Sequence, residues 1–346
     1  MKVAVVSPYD LGKPGGVQDQ AVRLVGWLGE AGHDAVLIGP GTHSPVDAVL
    51  LGPTRSIDTN LSKAPIRLNP GTAGAVKAAL AGFDVVHVHE PFVPMVSAAA
   101  LRVPGPAKVA TFHADPPQWV RRLYRYGRIA AERALRDVAV VTAVSPVAAS
   151  AIDGLVDCRI VPNGIDIDDY AVGPKEMKRV TYLGRDDARK GLSVLLEAWP
   201  IIVSAQPLAT LHVVGARRSD VVDGVSFLGQ VTEQTKRTEL AASVVHCAPN
   251  LGGESFGIVV LEAMASGSAI VASAIPAFEH LTGETGVLVT PGDADELAKA
   301  VVDLLGEPDK AETIGRAGRL RSEQFDGARV AAQYIEAYEE AMSRES

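Results

Sequence analysis

Two carboxylates stand eight positions apart, Glu254 and Glu262, in and just after a glycine-rich stretch, NLGGESFGIVVLEAMASG (250–267). The run before it, SVVHCAP (243–249), reads as a strand, and the run from Phe256 as a helix. Gly252 and Gly253 allow a tight turn and a close approach of backbone to ligand. The amides of Ser255, Phe256 and Gly257 then open the helix, where free N–H groups and the helix dipole favour an anion. Glu254 has the wrong sign for a phosphate but accepts strong bonds from sugar hydroxyls. Glu262, two turns into the helix, is placed to accept from a ribose. The alternative is a glycine turn, an acid favoured by the helix dipole and a surface glutamate.

Three more loops have similar potential. GRDDARKG (184–191) puts Arg185, Arg189 and Lys190 at one strand end. A diphosphate needs such partners, Arg as a planar fork and Lys as a point charge; a solvated, charged turn is the alternative. SPYDLGKPGGVQDQ (7–20) brings Gly15 and Gly16 to a helix entry without any G-x-G-x-x-G, so the dinucleotide fingerprint is absent. TFHADPPQW (111–119) leaves His113 just beyond a strand, at the edge of the expected cleft. No metal site is expected. His87, His89 and Glu90 of HVHEP lie partly inside a strand, and the acids of DID (166–168) suit turns and caps.

These loops need elements to hold them. KVAVVS (2–7), DAVLIG (34–39), DVVHVH (84–89), KVATF (108–112), VAVVTAVS (138–145) and RIVPN (159–163) read as buried parallel strands, continuous apolar runs covered by helices on both faces. Helices are predicted over 17–31, 71–82, 93–101 and 118–136. After the polar stretch 163–179 the alternation restarts, with strands near 179–184, 209–215, 225–229, 243–249, 269–273 and 286–290. Helices are predicted there over 191–205, 232–242, 256–266 and 293–305. The fold class is therefore α/β, with two Rossmann-like doubly wound domains, 1–165 and 177–325, facing across a cleft. A helix over 326–346 could belong to either. Ligands of such sheets bind beyond the carboxyl ends of the strands, where all four loops lie.

Composition narrows the class. The 346 residues are 47% hydrophobic and 21% charged, enough for two cores. A net charge of −8 argues against a general nucleic-acid binder. Cys158 and Cys247 read as reduced and structural. No apolar run reaches the length of a membrane span, and Pro8 and Asp10 end the first run too early for a signal peptide. The expected location is cytoplasmic, with peripheral contact on the inner face of the plasma membrane.

In this order the loops resemble the retaining glycosyltransferases of the GT-B fold, family four. GESFGIVVLE matches that family's E-x7-E motif, GRDDARKG its Arg/Lys diphosphate motif and VPNGID its interdomain turn. SPYDLGKPGGVQ, FDVVHVHEP, ATFH, FLGQV and CAPNLGGESFGIVVLEAMASG are similar to the branch that uses GDP-mannose to mannosylate phosphatidylinositol. The resemblance implies that Gly16, Arg185, Lys190, Glu254 and Glu262 hold the sugar nucleotide, with Val231 and Lys236 near the guanine; Arg189, Ser255, Phe256, Gly257 and Ile258 of the same loops complete the expected donor site. It implies His113 beside the transferred sugar, and Tyr9, Gln18, Asn60 and Arg67 towards the inositol phosphate. The partners would be the nucleotide sugar, an inositol phospholipid and an anionic membrane, with no nucleic acid, no cofactor and no metal requirement. The family's lipid-binding helix is rich in Lys and Arg, whereas NPGTAGAVKAALAG (69–82) keeps only Lys77. QWVRRLYRYGR (118–128) offers another interfacial face, with Arg121, Arg122, Arg125 and Arg128 beside Trp119, Tyr124 and Tyr126.

The implied reaction is mannosyl transfer with retention by front-face attack, the leaving diphosphate helping to deprotonate the acceptor. His113, Arg185, Lys190 and Glu254 form the catalytic set, and domain closure brings His113 and Gly16 to the sugar. Three other readings stay open: transfer of glucose or N-acetylglucosamine from a UDP sugar to a soluble acceptor; a non-catalytic two-domain sugar-binding protein; and a dinucleotide-dependent oxidoreductase.

Overall fold

The computed structural model describes the chain except for residues 60, 61, 68, 70, 117, 220 and 346; of residues 56–59, 62–64, 118, 123, 125 and 345 it describes the backbone alone. The chain divides into two compact units, Met1–Gly164 with Gly327–Ser346, and Ile165–Asp326.

In the first unit the elements run β1 (Lys2–Val6), α1 (Gly16–Glu30), β2 (Asp34–Gly39), β3 (Ala48–Leu50), β4 (Arg55–Thr59), β5 (Ser62–Ile66) and α2 (Thr72–Ala79). They continue with β6 (Val85–His89), α3 (Val96–Ala100), β7 (Ala107–Phe112), α4 (Gln118–Tyr126), α5 (Arg128–Leu135), β8 (Val140–Ala143), α6 (Pro146–Ala149) and β9 (Arg159–Ile160). Seven strands form a parallel sheet in the order β3-β2-β1-β6-β7-β8-β9. Its central strands are mostly apolar because both faces are covered: all of β6 and β7 is buried, with His87, His89, Lys108 and Thr111 as their polar residues. Helix α1 buries Gln20, Ala21, Leu24, Trp27 and Leu28, the stripe expected of one helix face against a sheet.

The second unit carries β10 (Arg179–Leu183), α7 (Leu192–Ala205), β11 (Thr210–Val214), β12 (Val225–Gly229), α8 (Glu233–Ala242), β13 (Val245–Ala248) and α9 (Ile258–Ala265). Then follow β14 (Ala269–Ser273), α10 (Pro276–Thr282), β15 (Gly286–Val289), α11 (Ala294–Gly306) and α12 (Pro308–Ser322). Its six-stranded parallel sheet has the order β12-β11-β10-β13-β14-β15. Asp293 caps α11 by accepting from the Glu296 amide at 2.9 Å, and Thr232 caps α8 through the Thr235 amide at 3.2 Å. Val180, Leu211, Val245 and Val271 of the sheet pack with Leu195, Trp199, Leu297 and Val301 of the helices into one core.

The last helix, α13 (Gly327–Glu345), packs back into the first unit. Val330, Ala331, Tyr334, Ala337, Tyr338 and Ala341 join its core beside Val3, Val5, Trp27 and Val109. Gly327 is there for space: a Cβ on it would lie 2.2 Å from the Trp27 indole.

Several elements differ from expectation. The helix predicted over 118–136 is two helices, parted at Gly127, whose φ of −88° and ψ of 19° leave the helical track. The strand predicted over 159–163 is the two-residue edge strand β9. The hairpin β4–β5, with Pro65 in it, carried no apolar alternation to announce it. The helix predicted from residue 256 starts at Ile258, because Phe256 is buried and Gly257, at φ +100°, precedes the first turn.

Candidate active site

In the second unit, strands β10 and β13 are neighbours, so the loops that leave them meet. Gly191 makes the crossing possible: at φ +68° its missing Cβ would lie 1.8 Å from the Pro249 carbonyl oxygen. The Leu251 amide donates to the Arg189 carbonyl at 2.7 Å and stitches the loops together. This interlock carries Lys190 Nζ to within 2.6 Å of Glu254 Oε2, an oxygen that also accepts from Asn250 Nδ2 at 3.2 Å. No side chain caps the first turn of α9, which follows directly.

The basic residues of this loop divide their work. Arg185 is exposed; its guanidinium makes no hydrogen bond or ion pair among the described residues, and its carbonyl accepts from the Tyr182 hydroxyl at 3.2 Å. Arg189, expected to face the donor, is committed elsewhere. Its fork donates to Asp187 Oδ2 and to the Gly253 carbonyl, both at 2.9 Å, so it joins the loops as scaffold. Burial pushes the Asp187 carboxyl up, yet the bonds from Arg189 and the field of Arg185 leave it below the usual carboxylate range.

Glu262 is buried, and its Oε1 accepts from Tyr170 Oη and Lys236 Nζ, each at 2.7 Å. Burial opposes the charge on Lys236, but Glu262 and Glu233 outweigh it and raise its pKa. Lys236, expected near a guanine, thus clamps the second motif carboxylate. Val231 is half-buried in the loop after β12, and Ile258 half-buried at the start of α9. The Phe256 ring packs edge-on against Phe325 at 5.7 Å, which leaves only its backbone for a ligand; Ser255 is half-buried.

In the first unit the loop after β1 is built from the inside. Gln18 is buried and donates through Nε2 to the carbonyls of Asp10 and Lys13, both at 3.4 Å. Gly15 caps α1 without a side-chain bond, and Gly16 is the first helical residue. Tyr9 bridges to Ile66; burial, then the fields of Glu90 and Tyr124, hold its phenol protonated well above the usual range. Arg67 donates from Nε to Thr72 Oγ1 at 3.0 Å, and Gly52 leaves the space its guanidinium fills. Asn60 lies outside the described residues.

His113, at the end of β7, is buried, with Nε2 2.6 Å from Nδ1 of His89 on β6. Burial lowers its pKa to about 3, and a bond to Asn163 offsets this only in part, so the ring is neutral near pH 7. Glu90 Oε1 accepts from the His113 and Ala114 amides, both at 2.8 Å. To do so Glu90 takes φ +47°, a conformation side chains rarely adopt and one that surrounding structure must enforce. Sequence reasoning missed the roles of Tyr170, Asn250, His89, Glu90 and Asn163. His89 and Glu90 were visible in HVHEP, where two-residue periodicity puts both histidines on one face; the partner across the strands was not.

The arginine-rich segment is also divided. Trp119, Tyr126 and Ile129 are 56%, 88% and 70% exposed, with Arg122 and Arg128 exposed among them. Tyr124 turns inward instead, 4.9 Å from the Phe92 ring, and Arg121 pairs with Asp115. Among the described residues no helix is long and apolar enough to cross a membrane.

Family models match both parts of the chain: Glycosyltransferase Family 4 over residues 14–169 and Glycosyl transferases group 1 over 177–307. A phosphatidyl-myo-inositol mannosyltransferase of Mycolicibacterium smegmatis is 35% identical, with 98% of this chain and 94% of the relative covered. Another of the same name, from Propionibacterium freudenreichii, is 33% identical over the same shares. Among solved structures, the sucrose-phosphate synthase of Thermosynechococcus elongatus aligns with a TM-score of 0.75 at 23% identity over 99% of both chains. Anabaena HepE with UDP and glucose also gives 0.75, at 20% identity over 98% of this chain and 99% of its own. At such identities the structures speak for the fold, while the full-length relatives and the family models speak for descent: the chain belongs to the family-four glycosyltransferases, has the GT-B fold and is a hexosyltransferase.

Proposed function

We propose that the chain transfers mannose from GDP-mannose, with retention, to phosphatidylinositol or a related inositol phospholipid. The observation that carries this reading is the Lys190–Glu254 pair, locked beside the uncapped start of α9. It stands in a chain that resembles named phosphatidyl-myo-inositol mannosyltransferases over 98% of its length.

Arg185, Lys190 and the first amides of α9 hold the diphosphate, and Glu254 and Glu262 accept from hydroxyls of the mannose and the ribose. In the reaction the bond from mannose C1 to the β-phosphate oxygen breaks. An inositol hydroxyl forms the new C1–O bond on the same face, its proton passes to the departing diphosphate, and GDP leaves. The charge that grows on the leaving group is met by Arg185 and Lys190, fixed cations that need no reorganisation. These cations take the place a metal ion would fill, so turnover is expected to withstand a chelator. The first unit is the acceptor half, with Tyr9, Gln18 and Arg67 towards the inositol phosphate and neutral His113 as a hydrogen-bonding ring.

The lipid substrate requires contact with a bilayer, and the exposed face of α4 and α5 suits one. Trp119, Tyr126 and Ile129 are interfacial in character, and Arg122 and Arg128 match an anionic surface. Thermal-shift measurements with GDP-, UDP- and ADP-sugars, followed by mass analysis of products on inositol lipids, test the reading. Stabilisation by GDP-mannose and a mannosylated inositol lipid are expected. Selective stabilisation by a UDP sugar, with a hexose placed on a soluble acceptor, would replace it.

A further inference from the structure

His89 and His113 share one hydrogen bond of 2.6 Å, from Nδ1 of the first to Nε2 of the second. Both rings are neutral, since burial lowers both pKa values, that of His113 to about 3. A neutral imidazole has one N–H and one bare nitrogen, so each ring's proton can be assigned by following the donors.

Two arrangements exist. If His113 donates from Nε2, His89 must accept at Nδ1 and carry its own proton on Nε2. That nitrogen is buried without a partner among the described residues, and an N–H stranded there is the more costly omission. If His89 donates from Nδ1, its Nε2 is a bare lone pair, which burial tolerates better. His113 then holds its proton on Nδ1.

His87 does not disturb the choice. It stacks on His89 at 4.4 Å, but its own nitrogens are taken by Tyr338 Oη at 2.8 Å and Thr111 Oγ1 at 2.6 Å. The backbone under His113 is held separately, by the two amide bonds to Glu90.

We infer that His89 and Glu90 are positioning residues for His113: His89 fixes the tautomer with the proton on Nδ1, and Glu90 fixes the turn that carries the ring. This rests on the reading that His113 serves the transfer reaction, and it adds a direction to that role. Nε2 is spent on His89, so the ring faces a ligand only as a donor, through Nδ1–H, and the sugar oxygen it meets must accept.

The test is a long-range proton–nitrogen correlation spectrum of the ligand-free full chain with nitrogen-15 histidine, His113 being assigned by its loss in His113→Gln. The expected pattern is Nδ1–H, with no imidazolium down to about pH 5. An Nε2–H pattern, or an imidazolium near pH 6.5, the ordinary histidine value, overturns the assignment. His89→Leu should shift the pattern towards Nε2–H and lower kcat about tenfold with KM for the donor unchanged. His89→Gln, which restores a donor, should regain the wild-type pattern and rate. Glu90→Gln, which keeps an acceptor, should likewise outperform Glu90→Ala in kcat. Loss of kcat in His89→Leu with an unmoved His113 pattern would make His89 merely structural. The spectra need no substrate, so they decide the tautomer even if mannose is not the sugar transferred.

Discussion

At the scale of single residues, the protein's own side chains organise the site. Lys190 pairs with Glu254, and Lys236 with Tyr170 holds Glu262. Removing Lys190 leaves Glu254 without its charge partner and, on the proposed reading, strips a cation from the leaving group. Lys190→Ala is therefore expected to lower kcat about a hundredfold or more, with the fold intact by circular dichroism. Glu262→Gln should act differently, raising KM for the donor about tenfold while kcat changes little, because it weakens a hydroxyl contact made in both ground and transition states. Initial-rate kinetics on the two variants separate these effects. The residue types of this site were legible from E-x7-E and the Arg/Lys loop. The division of labour was not: Arg189 looks like Arg185 in a string, and only the meeting of two loops reveals that its fork is spent on Asp187 and Gly253.

At the scale of elements, adjacency in the sheet does what sequence distance cannot. Lys190 and Glu254 are far apart in the chain, and β10 lying beside β13 brings their loops together through a glycine at φ +68°. Gly191→Ala puts a methyl group against the Pro249 carbonyl in a backbone conformation that alanine resists. A loss of about 2–4 kcal/mol in the second unit is expected, read as a lower urea midpoint, with transfer activity lost in parallel. A wild-type midpoint would show that the loops do not depend on this crossing. The strands were readable because parallel strands buried on both faces are mostly apolar runs. Hairpin β4–β5 was not, since RSIDT and SKAPI show neither an apolar run nor alternation. The break between α4 and α5 turns on one residue, Gly127, inside an otherwise helical pattern.

At the scale of the whole molecule, buried histidines make the fold sensitive to acid. His87 and His113 have pKa values lowered to about 3, His246 to about 4, and His89 is lowered too, all through burial. In the unfolded chain these rings titrate near 6.5. Below that pH the unfolded chain binds protons that the folded chain refuses, so stability falls as pH falls. Glu90 works the other way: burial raises its pKa to about 6, and its contribution is lost as pH rises through that value. Four rings outweigh one carboxyl, and the urea midpoint should drop steadily from pH 6.5 to about 5. A midpoint that stays flat or rises over that range would mean the rings are not held neutral. Membrane contact is tested in the same intact chain: Trp119→Ala with Tyr126→Ala should weaken sedimentation with anionic vesicles while GDP-mannose binding is kept. Equal sedimentation would remove α4 and α5 as the docking face.

On the proposed reading, fixed cations in the second unit drive transfer of mannose from its diphosphate to an inositol lipid. Radiolabelled GDP-mannose incubated with phosphatidylinositol vesicles and the intact chain, in the presence of a chelator, tests it most directly. A labelled mannolipid is expected from wild type, with label reduced about a hundredfold or more in both Arg185→Ala and Lys190→Ala. Near-normal label in both variants, or none from wild type until a divalent ion is restored, would contradict it.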